Sequence, residues 1–159
     1  MNTHLEDYIY KLLLTMKITE PIQLTMDNVI RELNLKVVYR KKAFRVYDEI
    51  VLVHGTKQQE WQLFAHELCH HLRHYGSQLN MHHLFLELQE FQANHFAYHF
   101  CVPTFMLEEI KDITAYEIMN QFNVDFDFAL RRLEMFQNKL FFQSEYYIHP
   151  SNRIAVATK

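Results

Sequence analysis

The sequence predicts a mostly helical α+β domain with one small β-sheet. About half of the 159 residues are apolar (49%), which is enough for one hydrophobic core. Only two glycines and three prolines occur, which argues against an all-β fold with many tight turns. Runs of β-branched and aromatic residues are confined to residues 35–54, whereas helical spacing prevails elsewhere. Because no repeat or internal boundary is visible, residues 1–159 are predicted to form a single domain.

Charge and cysteine content exclude several classes of protein. The net charge is −3, which gives no general reason to expect nucleic acid or an anionic membrane as a partner. Cys69 and Cys101 are too few for a disulfide framework. No stretch approaches the roughly 18 apolar residues of a membrane span, and no signal peptide is recognisable. We therefore expect a cytoplasmic protein without a membrane partner.

The first half of the chain predicts two helices and then the sheet. The helix over about residues 4–16 rests on Leu5, Ile9, Leu12 and Leu13, which recur at helical spacing. A short helix follows in "TMDNVIRELN", with Thr25 and Asp27 as capping candidates. Residues 35–40 and 48–54 have the composition of strands, and residues 43–47 offer a third.

The middle of the chain predicts a pair of helices joined by a turn. Helical spacing runs over residues 57–75 and is stopped by Gly76. A second helix runs over residues 83–102 until Pro103 ends it. Because the connection between them is short, the two helices should lie antiparallel and in contact.

Residues 114–136 predict a second helical pair, with the outline of a helix-turn-helix. Thr114 and Glu117 stand at capping-box spacing, and Asn123 can close the first helix in the left-handed conformation. Asp125 is the expected cap of the second helix. The remaining tail, residues 141–159, is ambiguous.

The stretch "HELCH" within the first central helix is the strongest chemical signal. His66 and His70 are four residues apart, so that both imidazoles lie on one face of a helix and could hold one zinc ion. Glu67 is rotated by about 100° from His66 and can reach a water at the metal rather than the metal itself. A crowded patch in a histidine-rich chain is the alternative, so a third ligand is needed to decide.

Glu90 on the second central helix is the best third ligand. It lies at about the level of the histidine pair, and small residues share its face, which allows close approach of the helices. Glu87 is the second choice, about 60° away and one turn nearer the connection. The histidines outside the motif are expected on surfaces: His71 and His74, of which His74 is the nearer to the cleft, and the pair His95 and His99 on a partly solvated face.

Two segments together resemble the ImmA/IrrE family of metallopeptidases: "LFAHELCHHLRH" and "ELQEFQANHFAYHFCVP". Members of that family carry HExxH on one helix and an E-x-x-A-N-x-F-A segment that ends in a proline on the next. The second pattern is matched by Glu90, Ala93, Asn94, Phe96, Ala97 and Pro103. Cys69 stands where members often have glycine, and a packing role is expected for it. The likeness extends from about Met26 to Phe136.

The resemblance implies a zincin-like metallopeptidase fold, with the small sheet packed beside the HExxH helix. It also implies a biological role in phages and other mobile elements, namely cleavage of a helix-turn-helix repressor to relieve repression. The expected zinc ligands are His66, His70 and Glu90, with Glu67 as the general base. The donor that stabilises the oxyanion is left open among Tyr146, Tyr147, His149 and His74.

Two alternatives to catalysis remain at this stage. The protein could bind zinc without turnover and act as an antirepressor by sequestering its partner. It could instead bind DNA through residues 114–136, where Arg131 and Arg132 are available. Acidic neighbours in the same segment, namely Asp125, Asp127 and Glu134, make DNA binding the less favoured of the two.

Overall fold

The computed structural model describes residues 2–41, 44–46, 49–74 and 82–148. These residues form a mostly helical α+β fold with one three-stranded sheet, as the sequence predicts. The helices are α1 (His4–Thr15), α2 (Met26–Leu33), α3 (Lys57–Arg73), α4 (His83–Cys101), α5 (Thr104–Leu107), α6 (Ala115–Phe122) and α7 (Phe126–Ile148), and the strands are β1 (Lys36–Tyr39), β2 (Phe44–Val46) and β3 (Glu49–Leu52). A 3-10 turn, Pro21–Gln23, lies between α1 and α2.

Side chains rather than glycines define the helix ends. The Thr3 hydroxyl accepts a hydrogen bond from the Glu6 N–H and begins α1, and Thr25 caps α2 in the same way. Asn34 and Asn123 close α2 and α6 in the left-handed conformation, with φ of 51° and 52°. Asparagine tolerates this conformation better than most residues do, so a chain with two glycines can still end its helices sharply.

The sheet is small and is packed on α3. Strand β3 is the central strand. It pairs with β1 in the parallel orientation and with β2 in the antiparallel orientation. Ile50, Val51 and Leu52 of β3 are fully buried, which is why this strand has a continuous apolar sequence. The three predicted strands are confirmed with shorter bounds.

Helices α3 and α4 form the antiparallel pair that the sequence predicts. Ala93 and Ala97 of α4 and Cys69 of α3 are buried, and these small side chains let the two helices approach closely. Gly76 and the predicted turn lie outside the described residues. The large buried aromatic side chains of this pair are Phe64, Phe96 and Phe100.

The C-terminal part differs from its prediction in two respects. Helix α7 does not end near residue 136 but continues to Ile148, and the four-residue helix α5 follows Pro103. Arg132, which the sequence offered as a DNA contact, is 1% exposed and donates hydrogen bonds to the Val102 carbonyl and the Thr104 hydroxyl. An arginine buried in the core cannot contact DNA. Of the two arginines that the DNA-binding alternative relied on, only Arg131 is therefore accessible.

None of the helices in the described part of the chain is both long and apolar enough to cross a membrane.

Candidate metal centre

His66, His70 and Glu90 converge on one point between α3 and α4. Their Nε2 and carboxylate atoms all lie within 4.8 Å of one another. The His66 Nε2 atom is 3.1 Å from the His70 Nε2 atom and 3.2 Å from Glu90 Oε2, and His70 Nε2 is 3.4 Å from Glu90 Oε1. The structure thus brings together the three residues that the sequence singled out as ligands.

The backbone explains why these three side chains meet. Residues four apart on α3 project from the same face one turn apart, which aligns His66 with His70. Helix α4 runs antiparallel beside it, and the buried Ala93 and Ala97 keep the two helix axes close. Glu90 can therefore reach across from α4 to both imidazoles.

The cluster is buried on one side and open on the other. The side chain of His70 is 6% exposed and that of His66 is 16% exposed, whereas that of Glu90 is 51% exposed. Two imidazole nitrogens and one carboxylate are a donor set that suits a catalytic zinc ion, which needs a further position accessible to water. The exposed side at Glu90 satisfies that requirement.

Each imidazole of the cluster is held by a hydrogen bond through its other nitrogen. His66 Nδ1 lies 2.9 Å from the side-chain oxygen of Asn94. His70 Nδ1 lies 2.8 Å from His74 Nδ1, and His74 Nε2 lies 3.0 Å from the side-chain oxygen of Gln92. Because an amide oxygen only accepts, these contacts place the protons on His66 Nδ1 and His74 Nε2, and His70 Nδ1 then donates to His74. In these tautomers both Nε2 atoms present an electron pair to the shared point.

Glu67 lies beside the cluster in a different environment from Glu90. It is 6% exposed, and burial followed by the negative charge of Glu90 raises the pKa of its carboxyl to about 7. Glu67 and His66 line the same cavity of about 450 Å³. A carboxyl group with a pKa near neutrality can both accept and return a proton at neutral pH.

Two histidines depart from their predicted positions. His74 was expected at the surface near the cleft, but it is 8% exposed and lies behind His70. His99 was expected on a partly solvated face with His95, but it is 7% exposed, and burial followed by the charge of Arg132 lowers the pKa of its imidazole to about 3. Both side chains are buried by neighbouring helices, which a single-helix projection does not represent.

Neither Glu87 nor Cys69 belongs to the cluster of His66, His70 and Glu90. Glu87 forms an exposed ion pair with His83 and takes no part in the cluster. Cys69 is fully buried, its Sγ atom 3.8 Å from the Gln92 carbonyl, and burial raises the pKa of its thiol to about 12, which fits packing and not ligation. His149 and the side chains of Tyr146 and Tyr147 lie outside what the structure describes, so the oxyanion donor among them stays a prediction.

Two residues of the centre were missed as hydrogen-bond partners. Asn94 stood out in the sequence as part of the E-x-x-A-N-x-F-A pattern but not as a hydrogen-bond partner of His66, and Gln92 was not considered. For Asn94 a signal existed, since it follows Glu90 by four residues and must share its face. Gln92 gave no such signal, because its role depends on the unexpected position of His74.

Comparison with known proteins relates most of the chain to a peptidase family. The family of IrrE N-terminal-like domains, a peptidase family, matches residues 27–134. The phage-like element PBSX protein XkdA of Bacillus subtilis (strain 168) is 36% identical over 148 residues, covering 86% of this chain and 75% of its own. The uncharacterized protein YqaB of the same strain is 33% identical over 150 residues, covering 87% of each chain. No solved structure gives a significant match.

Proposed function

The chain belongs to the peptidase family of IrrE N-terminal-like domains, and from that premise we propose that it is a zinc-dependent endopeptidase. In this proposal His66, His70 and Glu90 hold the zinc ion and Glu67 is the catalytic base. The observation that carries it is the convergence of these three donors within 4.8 Å, beside a buried carboxyl group. Family membership and cluster geometry both support this chemistry.

The proposed mechanism is hydrolysis of a peptide bond by an activated water molecule. Zinc at this site would polarise the scissile carbonyl and lower the pKa of water toward neutrality. Glu67 accepts the proton of the attacking water and delivers it to the leaving amine, a cycle for which a pKa of about 7 is suited. Asn94 and His74 keep the two imidazoles in the tautomer that presents Nε2.

The proposed substrate is a helix-turn-helix repressor of a phage or another mobile element. The support for this is the relative XkdA, which is named as a protein of a phage-like element. A repressor acts in the cytoplasm, so we place the activity there. The alternative within the same family is a zinc-containing antirepressor that sequesters its partner without cleaving it.

Metal analysis of four variants tests the proposal. Wild-type protein should contain about one zinc per chain, and His66→Ala and Glu90→Ala should lose most of it. Glu67→Gln should keep the zinc and lose cleavage, while Glu87→Gln, with an exposed side chain on the same helix as Glu90, should keep both. Retained cleavage in Glu67→Gln would remove Glu67 from its role.

A repressor assay separates cleavage from sequestration. If the wild type relieves repression and Glu67→Gln does not, hydrolysis carries the biological effect. Equal relief by both proteins would favour the antirepressor that only binds.

A further inference from the structure

A continuous cleft leads from the candidate metal centre to the start of α7. It consists of two adjoining cavities of about 450 and 480 Å³, whose shared walls are Gln59, Gln62, Tyr98 and Phe128. His66, Glu67 and Asn94 line one end of the cleft, and Asp125 and Asp127 line the other. Each cavity has the size of a site for one or two amino-acid side chains.

The middle of the cleft combines two aromatic rings with two glutamine side chains. The rings of Tyr98 and Phe128 are in contact, with centroids 4.4 Å apart, and both side chains are half-buried. Leu63 and Ala97 add aliphatic surface on the side of the metal centre. An apolar or aromatic side chain of a bound polypeptide would be desolvated here at little cost in polar contacts.

The far end of the cleft carries the carboxylates of Asp125 and Asp127, at the N-terminal end of α7. Asp125 is half-buried and Asp127 exposed, and no ion pair found among the described residues includes either of them. The nearest arginines of α7 are engaged elsewhere, since Arg131 pairs with Glu134 and Arg132 is buried. A lysine or arginine of a bound polypeptide could form ion pairs with both carboxylates at this end.

We propose that this cleft binds the polypeptide substrate on one side of the scissile bond and sets its specificity. An apolar or aromatic side chain packs on Tyr98 and Phe128 near the metal centre, and a lysine or arginine farther along meets Asp125 and Asp127. This inference rests on the proposed function, because it takes the metal centre as the place of cleavage. Its occupant is therefore a segment of the protein substrate that combines an apolar residue with a basic one.

Peptide binding to zinc-loaded Glu67→Gln protein tests the inference without hydrolysis. The probes are two fluorescein-labelled peptides that contain phenylalanine and differ only in carrying lysines or glutamates on one side of it. We expect the lysine peptide to bind about tenfold more tightly, with a preference that shrinks at high salt. In the same background, Asp125→Lys with Asp127→Lys should reverse the preference, and Phe128→Ala should weaken both peptides about tenfold.

The matched control is Glu108→Lys with Glu109→Lys, which changes the net charge equally at exposed positions outside the cleft. It should leave the preference for lysine in place. No binding of either peptide at millimolar concentration, or the same preference in the Asp125→Lys, Asp127→Lys protein, would overturn the inference. Zinc content and repressor cleavage by the otherwise wild-type chain report on the proposed function separately, so either idea can fail alone.

Discussion

At the scale of single residues, spacing along a helix predicted the cluster but not the groups that orient it. His66, His70 and Glu90 were found because a four-residue repeat and a 100° rotation per residue fix relative directions on helices. His74 obeys the same rule, yet its role depends on which neighbour covers it. Burial by another helix turned an expected surface histidine into a hydrogen-bond partner of His70.

The contact between His74 and His70 gives a prediction for metal affinity. His74→Phe keeps a ring of similar size but removes the nitrogen that accepts from His70 Nδ1, so His70 Nε2 is no longer fixed toward the metal. Zinc affinity, measured by competition with a chromophoric chelator, should fall about 10- to 100-fold. His83→Phe, at a side chain that is 77% exposed, serves as the control. A His74→Phe affinity within twofold of wild type would show that this bond does not orient the ligand.

At the scale of elements, the predicted helix ends agree with the structure where a capping residue nearby in the chain fixes the end. They disagree where packing against distant elements determines it. Thr25 and Asn123 act within one turn of chain, so their signals are readable in sequence. The length of α7 and the direction of Arg132 depend on α1 and α5, which lie far away in the chain. Arg132 contacts Thr104, whose hydroxyl donates to Glu6 at 2.6 Å.

The buried position of Arg132 gives a prediction for stability. Arg132→Met leaves the Val102 carbonyl and the Thr104 hydroxyl without the donor they have in the core, and each buried group that loses its partner costs about 1–3 kcal/mol. Arg131→Met, at the neighbouring exposed position, removes only a surface pair with Glu134 and should cost less than about 1 kcal/mol. Urea unfolding of the two variants measures the difference. Equal loss in both would contradict the assignment of Arg132 to the core.

At the scale of the whole molecule, α4 connects the candidate metal centre with a second buried polar region. Its middle turns supply Glu90, Gln92 and Asn94, which face α3. Its last turns carry His99, where α1 and α7 pack from the other side with Glu6, Arg132 and Lys139. The sequence signals of the middle turns are motif residues and therefore specific. Those of the last turns are only periodic, and a period does not tell which polar residue is enclosed.

The enclosed His99 couples the stability of the whole fold to pH. Burial, then the charges of Arg132 and His95, hold its pKa at about 3, whereas a histidine in the unfolded chain has its ordinary pKa of about 6.5. Between these two values the unfolded chain binds a proton that the folded chain does not, so stability is complete above pH 6.5 and declines as the pH falls. The contribution of this one proton approaches about 1.4 kcal/mol per pH unit.

This slope is measurable as a difference between variants. In chelator-treated protein, His99→Leu should reduce the dependence of unfolding free energy on pH between 5 and 6 by about 1.4 kcal/mol per unit. His4→Leu, which removes an exposed histidine of α1, is the matched control and should leave the slope as in wild type. The carboxylate of Glu6, whose hydrogen bonds outweigh burial and lower its pKa to about 2, adds a further loss only at more acidic pH. An unchanged slope in His99→Leu would mean that His99 accepts its proton in the folded protein, and hence that the space between α1, α4 and α7 admits water.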